Sequence, residues 1–166
     1  MDYKKLIRFG ENSKGDISPI LENVEAFQQI VAEMSAPFQK ENIDKVVAIE
    51  ARGFIFGAVI AQNLALPLVM VRKEGNLPME VLKEEAVDYT GKKKVLEIQK
   101  DAIKKGERVL VVDDWAETGS QARATFRMIE KLGGKIAGFT VLVDNTTKEA
   151  KDFLSQYHYH YLIHFD

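Results

Sequence analysis

The chain has 166 residues, 46% of them hydrophobic and 29% charged, which suits one globular domain with a full core. Its 23 basic and 25 acidic side chains leave a net charge of −2, so there is no basic surplus to favour nucleic acid as a partner. Cysteine is absent, which removes disulfides, thiolate catalysis and zinc–thiolate centres together, and no apolar run approaches membrane-spanning length. With no apolar signal core after Met1, a cytoplasmic protein that does not engage membranes is expected.

Residues 1–20 show little periodicity, broken by Gly10, Gly15 and Pro19, and are expected to form an irregular arm. Asn23 suits the N-cap of a helix whose Val24, Phe27, Val31, Met34 and Phe38 make one apolar stripe. A strand over 45–49 leads through Glu50, Ala51, Arg52 and Gly53 into an apolar helix over 54–65, and another strand follows over 67–71. Strand, loop and helix alternate, the pattern of a parallel sheet. Arg52 at the first strand-to-helix junction equally fits a phosphate held by paired hydrogen bonds or a surface salt bridge with Glu50. Residues 74–94 are polar, rich in lysine and acid, and without a core pattern, as in a mobile functional loop or a disordered segment.

The run Val109 to Val112 reads as a strand buried on both faces, and Asp113 and Asp114 close it. A turn holding Thr118, Gly119 and Ser120 precedes Ala122, Phe126 and Ile129 at helical spacing. Free N–H groups at a helix start favour a phosphate, and two acids beside it suit the hydroxyls and metal ion of a phosphorylated sugar. Thr118 and Gln121 also fit a capping box that satisfies the same amides without a ligand. A buried strand over 135–143, a short helix over 147–155 and an alternating tail over 157–164 complete the chain. In that tail His158 and His160 share a face at strand spacing, a weak metal pair with no third ligand nearby.

Four ordered segments resemble the type I phosphoribosyltransferases, and most closely their adenine branch. They are Asp16-Ile-Ser-Pro19, Glu50-Ala-Arg-Gly-Phe-Ile-Phe-Gly57, the basic loop from Arg72 to Pro78 with the acid–tyrosine pair Asp88-Tyr89, and Asp113 to Gln121. The resemblance implies an α/β core with a mainly parallel five-stranded sheet flanked by helices, a small hood from residues 1–20, a flexible catalytic loop over 74–94 and a homodimer. It implies transfer of the 5-phosphoribosyl group from phosphoribosyl diphosphate (PRPP) with Mg²⁺ to a purine-like base, or a regulator that binds PRPP without the chemistry. Asp113 and Asp114 would hold ribose hydroxyls or metal-bound water. Thr118, Gly119, Ser120 and Gln121 would seat the 5-phosphate, with Ala116 and Glu117 among the substrate-binding residues beside them. Arg52 and Gly53, the former preceded by a cis peptide, would join Arg72 and Lys73 at the diphosphate. Asp88 with Tyr89, or Glu117, would manage the base proton. The departures lie near the base. The aromatic and arginine that precede Asp-Ile-Ser-Pro in the adenine enzymes are here Lys14 and Gly15, and Asn76, Glu117, Ser120 and Gln121 replace other usual residues.

Overall fold

The computed structural model describes residues 1–10, 15–87 and 91–165. A 3₁₀ turn (Tyr3–Leu6) precedes a two-residue ladder of β1 (Arg8–Phe9) and β2 (Gly15–Asp16), then α1 (Ser18–Glu22) and α2 (Val24–Ser35). There follow β3 (Lys45–Ile49), α3 (Gly53–Leu64), β4 (Leu68–Lys73), β5 (Val81–Val87), β6 (Lys93–Gln99) and β7 (Arg108–Ala116). The chain continues with α4 (Ser120–Lys131), β8 (Lys135–Asp144), α5 (Lys148–Leu154) and β9 (Tyr159–His164).

A sheet of seven strands runs β5-β6-β4-β3-β7-β8-β9. The five expected parallel strands are β4, β3, β7, β8 and β9. The expectation of five is corrected to seven because β5 and β6 pair antiparallel and β6 joins β4 at the edge. Alternation explains why the central strands carry no polar face. Leu110 and Val112 enter one core with α2 and α3, while Val109 and Val111 enter the other with Phe126 and Ile129 of α4. Each face is covered by helix, so both sets must be apolar.

The arm is more regular than its sequence suggested. Tyr3 and Ile7 are buried in the first core, the Tyr3 hydroxyl donates to Glu33 at 2.7 Å, and Arg8 pairs with Asp16 at 2.9 Å. Asn23 caps α2 as expected, its side chain accepting from the Ala26 amide at 3.0 Å. Within the polar stretch over 74–94, residues 81–87 and 93–94 belong to the β5–β6 hairpin. This hairpin lies on α4, where Arg127 Nε donates to Glu84 at 2.9 Å, Arg127 Nη2 donates to the Glu85 carbonyl at 3.0 Å, and Lys131 pairs with Glu84. No helix among the described residues is long and apolar enough to cross a membrane. His160 meets the Glu33 carbonyl at 3.2 Å, His158 lies 3.5 Å from Glu41, and no metal-ligating group of three is found among the described residues.

Candidate active site

Two strand-to-helix junctions, β3 to α3 and β7 to α4, open on the same sheet end because β3 and β7 are parallel neighbours. Between them lies a cleft of about 590 Å³. β7 runs past its acids to Ala116, since β8 keeps pairing with it through Asp113, Trp115 and Ala116. The two carboxylates therefore sit within the strand, each 6% exposed.

Asp113 Oδ1 accepts the Asp114 amide at 2.9 Å. Arg52 Nε lies 2.8 Å from Asp114 Oδ2, an ion pair whose angle makes no hydrogen bond, so that buried oxygen accepts none among the described residues. Burial, reinforced by the neighbouring Asp114 charge, raises the Asp113 carboxyl well above the ordinary range. Burial also raises Asp114, although Arg52 pulls it back. A pair of carboxylates short of donors favours whatever brings positive charge or hydroxyl protons.

At the other wall, Gly119 is the N-cap of α4 with φ 66°, and no side chain caps the helix. The capping box is not formed. Thr118 Oγ1 accepts from the Ser120 amide at 3.3 Å, lies 3.0 Å from Ser120 Oγ, and reaches the Val87 carbonyl at 3.4 Å. A helix start without a side-chain N-cap can accept an anion. Behind it, Ala150 crowds Gly119, and the amides of Asn145 and Thr147 donate to the carbonyls of Ala116 at 2.9 Å and Glu117 at 3.2 Å.

Ala116, Glu117, Thr118, Gly119, Ser120 and Gln121 all line the cleft with Asp113, Asp114, Arg52 and Lys73. Two expected site residues stand apart from the cleft lining. Arg72 is not among the lining residues; it donates to Glu50 at 3.1 Å and to the Asn76 carbonyl at 3.1 Å. Gly53 serves packing, because a Cβ there would come 2.9 Å from Asp113 Oδ1 and 3.0 Å from the Val112 carbonyl. The Arg52–Glu50 salt bridge is likewise absent, Arg52 facing Asp114 and Glu50 facing Arg72. Asp88 and Tyr89 lie outside the described residues. The peptide Glu50–Ala51 is cis.

Residues 19–160 match the family model described as a phosphoribosyl transferase domain. The chain belongs to that family. An adenine phosphoribosyltransferase of Thermotoga petrophila is 40% identical over 163 residues, covering 95% of this chain and 95% of its own. The crystal structure of adenine phosphoribosyltransferase from Thermoanaerobacter pseudethanolicus superposes with a TM-score of 0.90 at 33% identity, covering 99% of this chain and 98% of that one. The Saccharomyces cerevisiae enzyme complexed with adenine and an imino-altritol bisphosphate gives 0.82 at 28% identity, covering 98% and 96%. These matches place the chain in the adenine branch of the phosphoribosyltransferases.

Among the lining residues that the sequence reading did not assign to the site are Lys94, Gly15 and Trp115. Lys94 of β6 sits in a lysine run that reads as solvated charge, and Gly15 in an arm that reads as irregular. Trp115 stood inside the central motif, and its signal was plain: one large aromatic between two acids and a phosphate loop.

Proposed function

We propose that this chain transfers the 5-phosphoribosyl group of PRPP to adenine, releasing diphosphate. The observation that carries the reading is the continuity of one short segment. Two buried, donor-poor carboxylates on β7 pass within a few residues into an uncapped helix start, all facing one cleft. The likeness to adenine enzymes along nearly the whole chain supports adenine as acceptor.

In the reaction the bond from the ribose anomeric carbon to the diphosphate oxygen breaks, and a bond from that carbon to a base nitrogen forms. The nitrogen's proton leaves to a carboxylate, and the electron pair of the broken bond goes to diphosphate. Catalysis then rests on position and charge. The α4 amides and Thr118 to Gln121 seat the 5-phosphate. Asp113 and Asp114 take the ribose hydroxyls and face the carbon as it gains positive character. Arg52, Lys73 and Lys94 surround the departing diphosphate. Glu117, exposed on the cleft wall, and Asp88 are the carboxylates proposed to take the base proton.

The carboxylate pair also fits a magnesium ion carried in with PRPP. Mg²⁺ takes hard oxygens and needs only one or two carboxylates beside substrate phosphates, and Asp114 Oδ2, ion-paired with Arg52, accepts no hydrogen bond among the described residues. When bound, the ion supplies positive charge to the leaving diphosphate. Cytoplasmic location and a homodimer belong to the same proposal; light scattering of the purified protein tests the latter. No observation favours the alternative of a regulator that binds PRPP without transfer.

Incubation with PRPP, Mg²⁺ and each of a panel of purines and pyrimidines, with diphosphate and nucleotide both measured, tests the reading. Diphosphate and AMP should appear in equal amounts with adenine. Release with another base alone would reassign the acceptor, and no release with any base would reject the transferase.

A further inference from the structure

A buried carboxylate that the reaction above leaves unused stands one strand behind the phosphate turn. It is Asp144, the last residue of β8, at 0% exposure. In the sheet register Ala116 of β7 lies beside it on one side and His164 of β9 on the other, so one row joins the head of the turn to the edge strand. Thr146 Oγ1 donates to Asp144 Oδ1 at 2.7 Å and the Tyr159 hydroxyl donates to the same oxygen at 2.9 Å. His164 Nδ1 lies 3.0 Å from Oδ2, and Lys151 stands 3.8 Å from it. Burial, with the Asp144 charge beside it, pushes the Tyr159 hydroxyl well above its ordinary range and keeps it a donor.

Thr146 is the partner that matters to the site, because its neighbours in the chain hold the turn from behind. The Asn145 amide donates to the Ala116 carbonyl at 2.9 Å, and the Thr147 amide donates to the Glu117 carbonyl at 3.2 Å. In a planar trans peptide the N–H points opposite to the C=O, so drawing the Glu117 carbonyl toward this loop turns the Thr118 N–H away from it. Thr147 also caps α5, its Oγ1 accepting from the Ala150 amide at 3.3 Å, and the Ala150 Cβ stands 3.2 Å from where a Cβ on Gly119 would lie. The turn is thus tied and pressed from one side. That side is itself fixed by the Thr146 hydroxyl, anchored on a carboxylate within the sheet.

We propose that Asp144 is a positioning residue for the transfer: through the Thr146 hydroxyl it fixes the 145–147 loop, and through that loop the backbone of the turn that seats the 5-phosphate. This rests on the transferase reading above, which gives the 5-phosphate to residues 118–121. Amides at a helix start hold a phosphate only while several of them point at one place, so a small rotation of the turn weakens several contacts at once. A hydrogen bond to a carboxylate is stronger than one between neutral groups, which suits it to a brace. Tyr159 and His164 hold the carboxylate from β9, and Thr146 passes its position on to the turn.

Thr146→Val keeps the branching of the side chain and removes the hydroxyl. It should raise KM for PRPP and weaken ribose 5-phosphate binding by calorimetry, each by about tenfold, the scale of one hydrogen bond to a charged group, while KM for adenine at saturating PRPP holds. Thr146→Ser, which restores the hydroxyl, should return both values close to those of the wild type. Asp144→Leu should weaken ribose 5-phosphate binding at least as much, and adding Thr146→Val to it should do little more, because the hydroxyl has lost its acceptor. A general loss of packing would raise both KM values together and leave the serine variant no better than the valine one. The inference is overturned if Thr146→Val binds ribose 5-phosphate as the wild type does, if both KM values rise equally, or if Thr146→Ser fails to recover; the two Thr146 variants decide it even where Asp144→Leu does not fold. If wild-type protein binds neither PRPP nor ribose 5-phosphate, the transferase reading fails and takes this one with it; if it binds both and makes AMP while Thr146→Val is indifferent, only this inference fails.

Discussion

Two parts of the sheet bury carboxylates, and they treat them oppositely. Asp113 and Asp114 on β7 are each 6% exposed and share few donors, whereas Glu97 on β6 is 1% exposed and well supplied. Glu97 Oε1 accepts the amides of Asn76 and Leu77, both at 2.8 Å. Burial by itself would raise Glu97, but backbone N–H groups from Gly75, Leu77 and Asn76, with Lys83 nearby, outweigh it and hold the carboxyl below its ordinary range. At β7 burial wins and both acids are raised. A carboxylate that the fold has satisfied stabilises the fold. One that it buries with few donors is left open to a visitor, and its ionisation opposes stability until the visitor arrives.

The strongest way to break this contrast is Asp114→Asn. Removing a charge aimed at the reacting sugar should cost about a hundredfold in turnover, yet the melting temperature should hold or rise, because the penalty of burying that charge goes with it. A fall in melting temperature together with full activity would reverse the assignment. Glu117→Ala should lower turnover with adenine by tens-fold, about the low end for a lost general acid or base, while PRPP affinity by calorimetry changes little; equal losses in both would make Glu117 part of the loop. Gly119→Val places a β-branched residue at φ 66° against Ala150, and strain of about 1–3 kcal/mol should appear as weaker PRPP binding, read by calorimetry on protein shown to be folded.

The smallest effect tests the other side. Glu97→Gln should cost about 1–3 kcal/mol, a fall of several degrees in melting temperature. The sign of the pH dependence separates the sites. Glu97, lowered on folding, contributes stability that is present above its ordinary value of 4.5 and is lost as pH falls through the folded one. Asp113 and Asp114, raised on folding, contribute most below their ordinary 3.8, and the contribution is lost as pH rises through the folded values. Melting curves between pH 3 and 7, about the range that brackets these carboxyls, should therefore show an acid slope that is shallower in Glu97→Gln and steeper in Asp114→Asn.

The sequence made the central strands legible because burial on both faces leaves unbroken apolar runs, as in 109–112. The Asn23 cap and the turn before α4 were legible because local hydrogen bonding and backbone conformation dictate their residue types. The hairpin was hidden for a physical reason. Strand β5 lies at a sheet edge, and its Glu84 and Glu85 find partners on α4 and β6 while its Lys83 pairs with Glu74, none of them in a core, so alternation is blurred by charge. The role of Gly53 was equally out of reach, since the atom that requires it, Asp113 Oδ1, lies sixty residues on in the chain. Trp115 and Gly15 share that difficulty, for neither residue announces that it excludes a side chain on the other.

One helix serves two structures at once. The start of α4 makes the proposed phosphate seat, and Arg127 and Lys131, about two and three turns farther along, hold the β5–β6 hairpin through Glu84. Those pairs are half open to solvent on the basic side, with Arg127 47% and Lys131 57% exposed, so dissolved ions compete for them. The hairpin carries Ala86 and Lys94 on the wall of the cleft. Ionic strength therefore reaches this site by two routes, weakening the hold on an anionic ligand and slackening the wall behind it, and the salt dependence of ligand release should be steeper than the ligand's own charge accounts for.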